Sequence, residues 1–199
     1  MLSTLRFPLH FALARRPVAT GAVLLALLAL GCASSPPPES APTVGEVAPD
    51  FTARTLTRDG PATTPTSLAE LRGKTVVLAF FPRARTPGCS TQMKAYHDRY
   101  AQLFRGGRDV VLLGVSTDGE QSLQEWAKEE GFPFAFVSDP DGELGAKYGA
   151  LDPGDMFARR LLYVIAPDGK VSYVAAPFRQ NSEEAYTELA AAIERVAGG

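Results

Sequence analysis

The residue in this chain best placed to do chemistry is Cys89, which follows Pro82-Arg83-Ala84-Arg85-Thr86-Pro87-Gly88 and precedes Met93, Tyr96, Tyr100 and Leu103 at helical spacing. That order predicts a cysteine in the first turn of a helix. The first N–H groups of a helix have no partner inside it and its dipole is positive there, so a thiolate at that point is favoured. Arg83 and Arg85 are expected to add to the effect. A lone helical cysteine is most often a small buried hydrophobe. Here Pro and Gly directly before it, a hydroxyl three residues back and two nearby arginines suit an exposed nucleophile ringed by hydrogen-bond donors.

The other candidates are few. The chain has two cysteines, Cys32 and Cys89, in such different surroundings that a structural disulfide framework is not predicted. It has two histidines, His10 and His97, and no Cys/His cluster at ligand spacing, so no metal or other cofactor is expected. His97 lies eight residues beyond Cys89, about 12 Å along a helix, which is too far to pair with the thiol. It reads as a partly exposed helical residue, and Trp126, with Leu123 and Ala127 on its face, reads as core. With 199 residues, 45% hydrophobic and 21% charged, and a net charge of −2, one ordinary globular domain is expected. No basic patch points to nucleic acid, so the expected partners are small molecules.

The elements that must hold Cys89 follow from apolar patterning. Thr75 to Phe81 is short, apolar and rich in β-branched and aromatic residues, which predicts a strand buried on both faces. A second such run, Asp109 to Ser116, lies beyond the Cys89 helix and makes a strand, helix, strand unit with two parallel strands. Glu120 to Glu130 predicts a helix, and Phe132 to Val137 another apolar run. Leu161 to Ile165 and Val171 to Val174 flank Ala166-Pro167-Asp168-Gly169-Lys170 and predict a hairpin. Ser182, Glu183 and Glu184 open a last helix that buries Ala185, Leu189, Ile193 and Val196. Arg58-Asp59-Gly60 is a turn signal, and Ser67-Leu68-Ala69-Glu70 has the spacing of a capping box. The order predicts an α/β domain with a mixed sheet of about five strands and helices on both faces.

The N-terminus has a different logic. Arg6, Arg15 and Arg16 precede an apolar stretch from Gly21 to Leu30, which is shorter than a membrane-spanning helix and has the layout of an export signal. Ala29-Leu30-Gly31-Cys32 resembles the lipobox of bacterial lipoproteins, with Ala29 and Leu30 in the reverse of the commoner order. The resemblance implies cleavage before Cys32 and lipidation of that residue. An ordinary signal peptide cut nearby is the alternative. The expected organisation is a signal over residues 1–31, a Ser/Pro-rich spacer over 32–43 and one domain over 44–199. Such a chain would be exported and held as a membrane-anchored lipoprotein on the periplasmic side of a bacterial cell envelope.

Pro82-x-x-x-Thr86-x-x-Cys89 resembles the active-site pattern of peroxiredoxins, the AhpC/TSA family, and its setting is most similar to the bacterioferritin-comigratory or peroxiredoxin Q subfamily. The likeness runs from Val44-Gly45-Glu46-Val47-Ala48-Pro49-Asp50-Phe51 to the last helix. It includes Leu71-Arg72-Gly73-Lys74, Leu113-Gly114-Val115-Ser116-Thr117-Asp118 and Val137-Ser138-Asp139. It implies a thioredoxin-like fold with an N-terminal hairpin extension, and a thiol peroxidase acting on hydrogen peroxide or organic hydroperoxides as a monomer or weak dimer. In that reading Cys89 is the peroxidatic cysteine, Thr86 hydrogen-bonds at the peroxide and Pro82 shields the pocket. Arg160 would be the arginine of the later strand, with Arg159 the runner-up. Where many relatives carry a resolving cysteine, five residues on, this chain has Lys94. One-cysteine behaviour with an external thiol reductant, either a thioredoxin-like protein or a small thiol, is therefore expected. A free Cys32 thiol reaching back across the spacer is the alternative. The alternative functions are a thioredoxin-like disulfide reductase and a tethered, non-enzymatic binding module. The first needs a cysteine where Thr86 stands.

Overall fold

The structure, a computed structural model, describes residues 40–197. The expected signal segment and Cys32 lie outside the described residues, and among those described no helix is long and apolar enough to cross a membrane.

Nine strands and five α-helices follow one another along the described chain. Short strands β1 (Thr52–Ala53) and β4 (Thr66–Ser67) pair with each other. Strands β2 (Thr55–Thr57) and β3 (Gly60–Pro61) form a hairpin over the Arg58-Asp59-Gly60 turn. Then come β5 (Thr75–Phe80), α1 (Pro87–Asp98), α2 (Tyr100–Leu103), β6 (Val110–Ser116), α3 (Glu120–Glu130), β7 (Ala135–Ser138), α4 (Glu143–Lys147), β8 (Leu161–Ile165), β9 (Val171–Ala175) and α5 (Glu183–Ala197). The main sheet runs β3-β2-β7-β6-β5-β8-β9. Its five longer strands are the expected mixed sheet, and the β2–β3 hairpin adds to one edge through β7. Strands β5, β6 and β7 are parallel, whereas β8 and β9 run antiparallel.

All six residues of β5 are buried, because the strand has a core on each side. Val77, Ala79 and Phe81 face a cluster built from Tyr96 of α1, Trp126 of α3 and Leu189 of α5. Val76, Leu78 and Phe80 alternate into a second cluster with Phe51, Leu68, Leu144 of α4 and Tyr148. Each fully buried side chain of this kind contributes roughly 1.5–3 kcal/mol, which makes β5 the fixed floor from which the Cys89 loop departs.

Two boundaries differ from the sequence expectation. The apolar run from Phe132 becomes a strand only at Ala135. Pro133 has no N–H for the ladder, so Phe132 and Phe134 pack in the core ahead of the strand instead. The helical spacing from Met93 to Leu103 is divided at Arg99, whose φ of −105° and ψ of 12° end α1 before the single turn of α2. The capping box at Ser67 forms in both directions. Ser67 N donates to Glu70 Oε2 (2.8 Å) and Glu70 N to Ser67 Oγ (3.2 Å), on a 3-10 turn rather than an α-helix.

The segment leading to β8 is fastened from below. Asp139 accepts hydrogen bonds from Leu144 N (3.0 Å) and Gly145 N (2.7 Å), which caps α4, and burial holds its carboxyl above the usual carboxylate range. Tyr148, just past α4, accepts from Tyr163 of β8 through its carbonyl (2.8 Å). Asp139→Ala should leave two buried N–H donors without partners and cost about 1–3 kcal/mol, read as a lower urea midpoint at unchanged slope.

Candidate active site

The loop between β5 and α1 is held at two points. Ala84 N donates to Asp118 Oδ2 (2.7 Å), an oxygen that also accepts from Ser116 Oγ (2.5 Å). Ser138 Oγ donates to the Asp118 carbonyl (2.7 Å), so the ends of β6 and β7 both grip the loop through Asp118. The second point is Arg85, which has φ 61°. For a side chain with a Cβ this left-handed conformation costs roughly 1–2 kcal/mol. Its guanidinium donates to Glu129 Oε2 (2.9 Å) and to the Ser122 carbonyl (3.0 Å), tying the loop to α3.

Helix α1 then begins as the sequence predicts. Thr86 is the N-cap in extended conformation, Pro87 takes the first helical position where a missing N–H costs nothing, and Cys89 is third. The first intrahelical bond runs from Ser90 N to the Thr86 carbonyl (2.8 Å), so the N–H groups of Gly88 and Cys89 have no partner within the helix. Thr86 Oγ1 donates its proton to the Arg83 carbonyl (2.9 Å), which leaves the hydroxyl oxygen as an acceptor. Pro82 is half-buried at the start of the loop.

Cys89 is not the exposed nucleophile that its neighbours suggest: it is wholly buried and shares a cluster with Phe81, Met93 and Tyr96. Loop and helix fold over it because Ala84 is drawn inward by Asp118. Nor do Arg83 and Arg85 supply its positive charge. Arg85 is committed to α3, and the Arg83 guanidinium lies 5.6 Å over the Phe157 ring. The cation at the sulfur is Arg160, whose Nη2 is 3.4 Å from Cys89 Sγ. Arg159 turns away, donating to the Gly149 carbonyl (2.8 Å) and to Asp152 Oδ1 (2.9 Å).

The register of the sheet explains why Arg160 reaches the sulfur. Phe80 at the end of β5 pairs with Leu161 at the start of β8, so the residue before Leu161 sits beside the loop that leaves Phe80. Phe178 N donates to the Arg160 carbonyl (2.9 Å) and fixes its backbone. The guanidinium is aimed by Gln92, one turn beyond Cys89, which accepts from Arg160 Nη1 and donates to Tyr96 OH (2.9 Å). Gln92 and Tyr96 are both wholly buried, and burial pushes the Tyr96 phenol up, so it stays neutral. Sequence reasoning assigned no role to Gln92 or to Asp118. The available signal for Gln92 was a polar residue three places after a candidate nucleophile on the same helix face.

Gly88 has a steric reason. A Cβ there would lie 3.1 Å from Gln180 Nε2 and 3.3 Å from Arg160 Nη2, so the missing side chain lets both polar groups close over the first turn. Two pockets meet at Arg160. One, about 390 Å³, is bounded by Arg179, Gln180, Asn181 and Ser182. The other, about 510 Å³, is bounded by Gly149, Leu161, Ala176 and Pro177. A thiol backed by helix N–H groups and a fixed guanidinium, with water excluded around it, can attack a small electrophile and disperse the charge on its leaving group.

Comparison with known proteins gives a consistent result. The sequence pattern of the AhpC/TSA family matches residues 44–174. Chloroplastic peroxiredoxin Q of rice (Oryza sativa subsp. japonica) is 35% identical over 133 residues, 65% of this chain and 57% of its own. Peroxiredoxin Bcp of Escherichia coli K12 is 29% identical over 144 residues, 69% of this chain and 88% of its own. The match thus spans little more than half the length of the rice relative. The crystal structure of peroxidoxin BcpB from Mycobacterium tuberculosis superposes with a TM-score of 0.66 at 26% identity, covering 78% of this chain and 98% of that one.

The Gln92 side chain hydrogen-bonds to Arg160 and Tyr96, so it is a positioning residue. Gln92→Leu should slow the oxidation of Cys89 by peroxide by up to about 10²-fold, the effect of misplacing a reacting group by an ångström. Gln92→Glu retains an acceptor for Arg160 and should restore the rate. A merely structural role would instead lower the melting temperature equally in both variants.

Proposed function

The chain belongs to the AhpC/TSA family, and from that premise we propose that it is a thiol-dependent peroxidase reducing hydrogen peroxide or organic hydroperoxides through a sulfenic acid on Cys89. The observation that carries this reading is the 3.4 Å contact between Arg160 Nη2 and Cys89 Sγ. The thiolate attacks one peroxide oxygen, forming an S–O bond as the O–O bond breaks. The two electrons leave sulfur, and the departing oxygen takes up a proton to become water or an alcohol. Negative charge passes from sulfur to that oxygen during the step. Arg160 and the free N–H groups of Gly88 and Cys89 lie where that charge moves, and burial removes the water that would screen them. Thr86 Oγ1 accepts from the peroxide O–H and orients it, while Pro82 keeps water from the mouth.

The second half-reaction needs a thiol from outside the domain. Cys89 is the free cysteine of the described residues, and Lys94, in place of a resolving cysteine, pairs with Glu130 (3.2 Å). An external thiol condenses with the sulfenic acid, releasing water and leaving a mixed disulfide, and a second thiol returns Cys89 to the thiol state. We further propose that the chain is exported and held at a bacterial membrane by lipid on Cys32, on the strength of the lipobox-like Ala29-Leu30-Gly31-Cys32. If Cys32 instead keeps its thiol, it is the candidate partner for the sulfenic acid. A disulfide reductase is disfavoured because Thr86, not cysteine, stands three residues before Cys89.

Arg160→Gln should lower the rate of Cys89 oxidation by about 10²–10³-fold, the usual loss for one such donor, and Cys89→Ser should abolish peroxide consumption. Stopped-flow peroxide consumption measures both, and an Arg160→Gln rate within twofold of wild type would sink the reading. Graded excess peroxide should add two and then three oxygens to the intact mass of Cys89 protein. Loss of two hydrogens instead would reveal a disulfide and refute the one-cysteine route.

A further inference from the structure

The pocket beside Arg160 on the α5 side has an apolar wall, Pro177 and Phe178, and a polar one. Arg179, Gln180, Asn181 and Ser182 contribute a cation, two carboxamides and a hydroxyl, Arg160 closes the inner end, and no carboxylate lines it. Gln180 reaches from this lining to the first turn of α1, where it and Arg160 crowd the position of a Cβ on Gly88. Gln180 and Arg160 thus link this lining to the residue next to the reactive sulfur. Its volume, about 390 Å³, would take a molecule of a few residues' size rather than a folded protein surface. Arg179 also pairs loosely with Glu184 (3.3 Å), and both side chains are more than half exposed, so that pair can be exchanged for a ligand at little cost.

We propose that this pocket binds the reducing substrate, a low-molecular-weight thiol that carries a carboxylate. This rests on the peroxidase reading above. Its carboxylate pairs with Arg179 and accepts from the amides of Gln180 and Asn181, and its sulfur points toward Gly88 and Cys89. The incoming thiol forms an S–S bond to Cys89 as the S–O bond of the sulfenic acid breaks. The thiol proton leaves with the hydroxyl as water. A second equivalent of the same thiol then attacks the mixed disulfide, giving the external disulfide and the Cys89 thiol. No oxidant or reductant other than the peroxide and the thiol is needed.

The test separates the two half-reactions in the full chain. Cys89 is first oxidised with one equivalent of hydrogen peroxide and the rate recorded. The sulfenic acid is then reduced with 3-mercaptopropionate, 2-mercaptoethanol or cysteamine at equal thiolate concentration. Wild type should favour the anionic over the cationic thiol by on the order of fivefold or more, a preference that shrinks as salt is added. Asn181→Asp and Arg179→Gln should each reduce that ratio toward one, and the double variant should invert it. Two variants are used so that a folding defect in one, detected by its melting temperature, does not decide the outcome. A ratio near one in wild type, or one unchanged in both variants, overturns the proposal. If Cys89 is instead oxidised no faster than a free thiol, the peroxidase reading itself fails.

Discussion

A guanidinium and a sulfur 71 residues apart in sequence meet at 3.4 Å, and the architecture around them can be read as the means of keeping that contact. The contact depends on β5 and β8 being antiparallel neighbours with Phe80 opposite Leu161. Side chains alternate along a strand, so a slip of one residue would carry β8's buried residues to the wrong face. Leu162 and Val164 pack in one core and Leu161, Tyr163 and Ile165 in the other, so such a slip would exchange the two sets and misfit both cores. The position of Arg160 is thus set by hydrophobic burial along the five residues that follow it.

Burying the sulfur has a second consequence. A charge without water must be met by fixed partners, and a partly satisfied polar network in the interior costs more than none. Here the chain of partners is complete: Cys89 to Arg160, Arg160 to Gln92, Gln92 to Tyr96. Among the described residues the one buried side-chain polar atom without a partner, Thr75 Oγ1, lies at the far end of β5. The polar groups around the sulfur therefore hold one another in place.

Much of this could be read from the chain alone, for identifiable reasons. The continuous apolar runs of β5 and β6, the helix from Glu120 to Glu130 and the Gly169 turn between β8 and β9 carry strong local signals, and they stand where expected. The start of Cys89's helix was equally legible, because Thr86, Pro87 and Gly88 satisfy the backbone needs of its first turn. What local patterning could not give was direction. Arg83, Arg85, Arg159 and Arg160 are alike as residue types, and only the tertiary structure shows that three of them serve Phe157, Glu129 and Asp152 while one faces the sulfur. Arg160 was selected by family resemblance. Burial of Cys89 went unforeseen for a related reason, since the loop is pulled inward by Asp118, a residue 34 positions from the Ala84 amide it holds.

The same anchoring bears on how the catalytic cycle must close. The last turn of α3 holds both the loop before α1, through Arg85 to Glu129, and α1 itself, through Lys94 to Glu130. Each pair alone is half-exposed and worth less than about 1 kcal/mol. They act together with Asp118's grip on the loop and with Met93 and Tyr96, which are wholly buried. Unwinding the first turns of α1 to carry the sulfur outward would break all of these at once, and the domain offers no second thiol in return. On the proposed route the helix stays intact and a small thiol comes inward past Gln180. On that view Lys94 does more than take the place of a cysteine. Its ion pair helps hold the helix that presents Cys89.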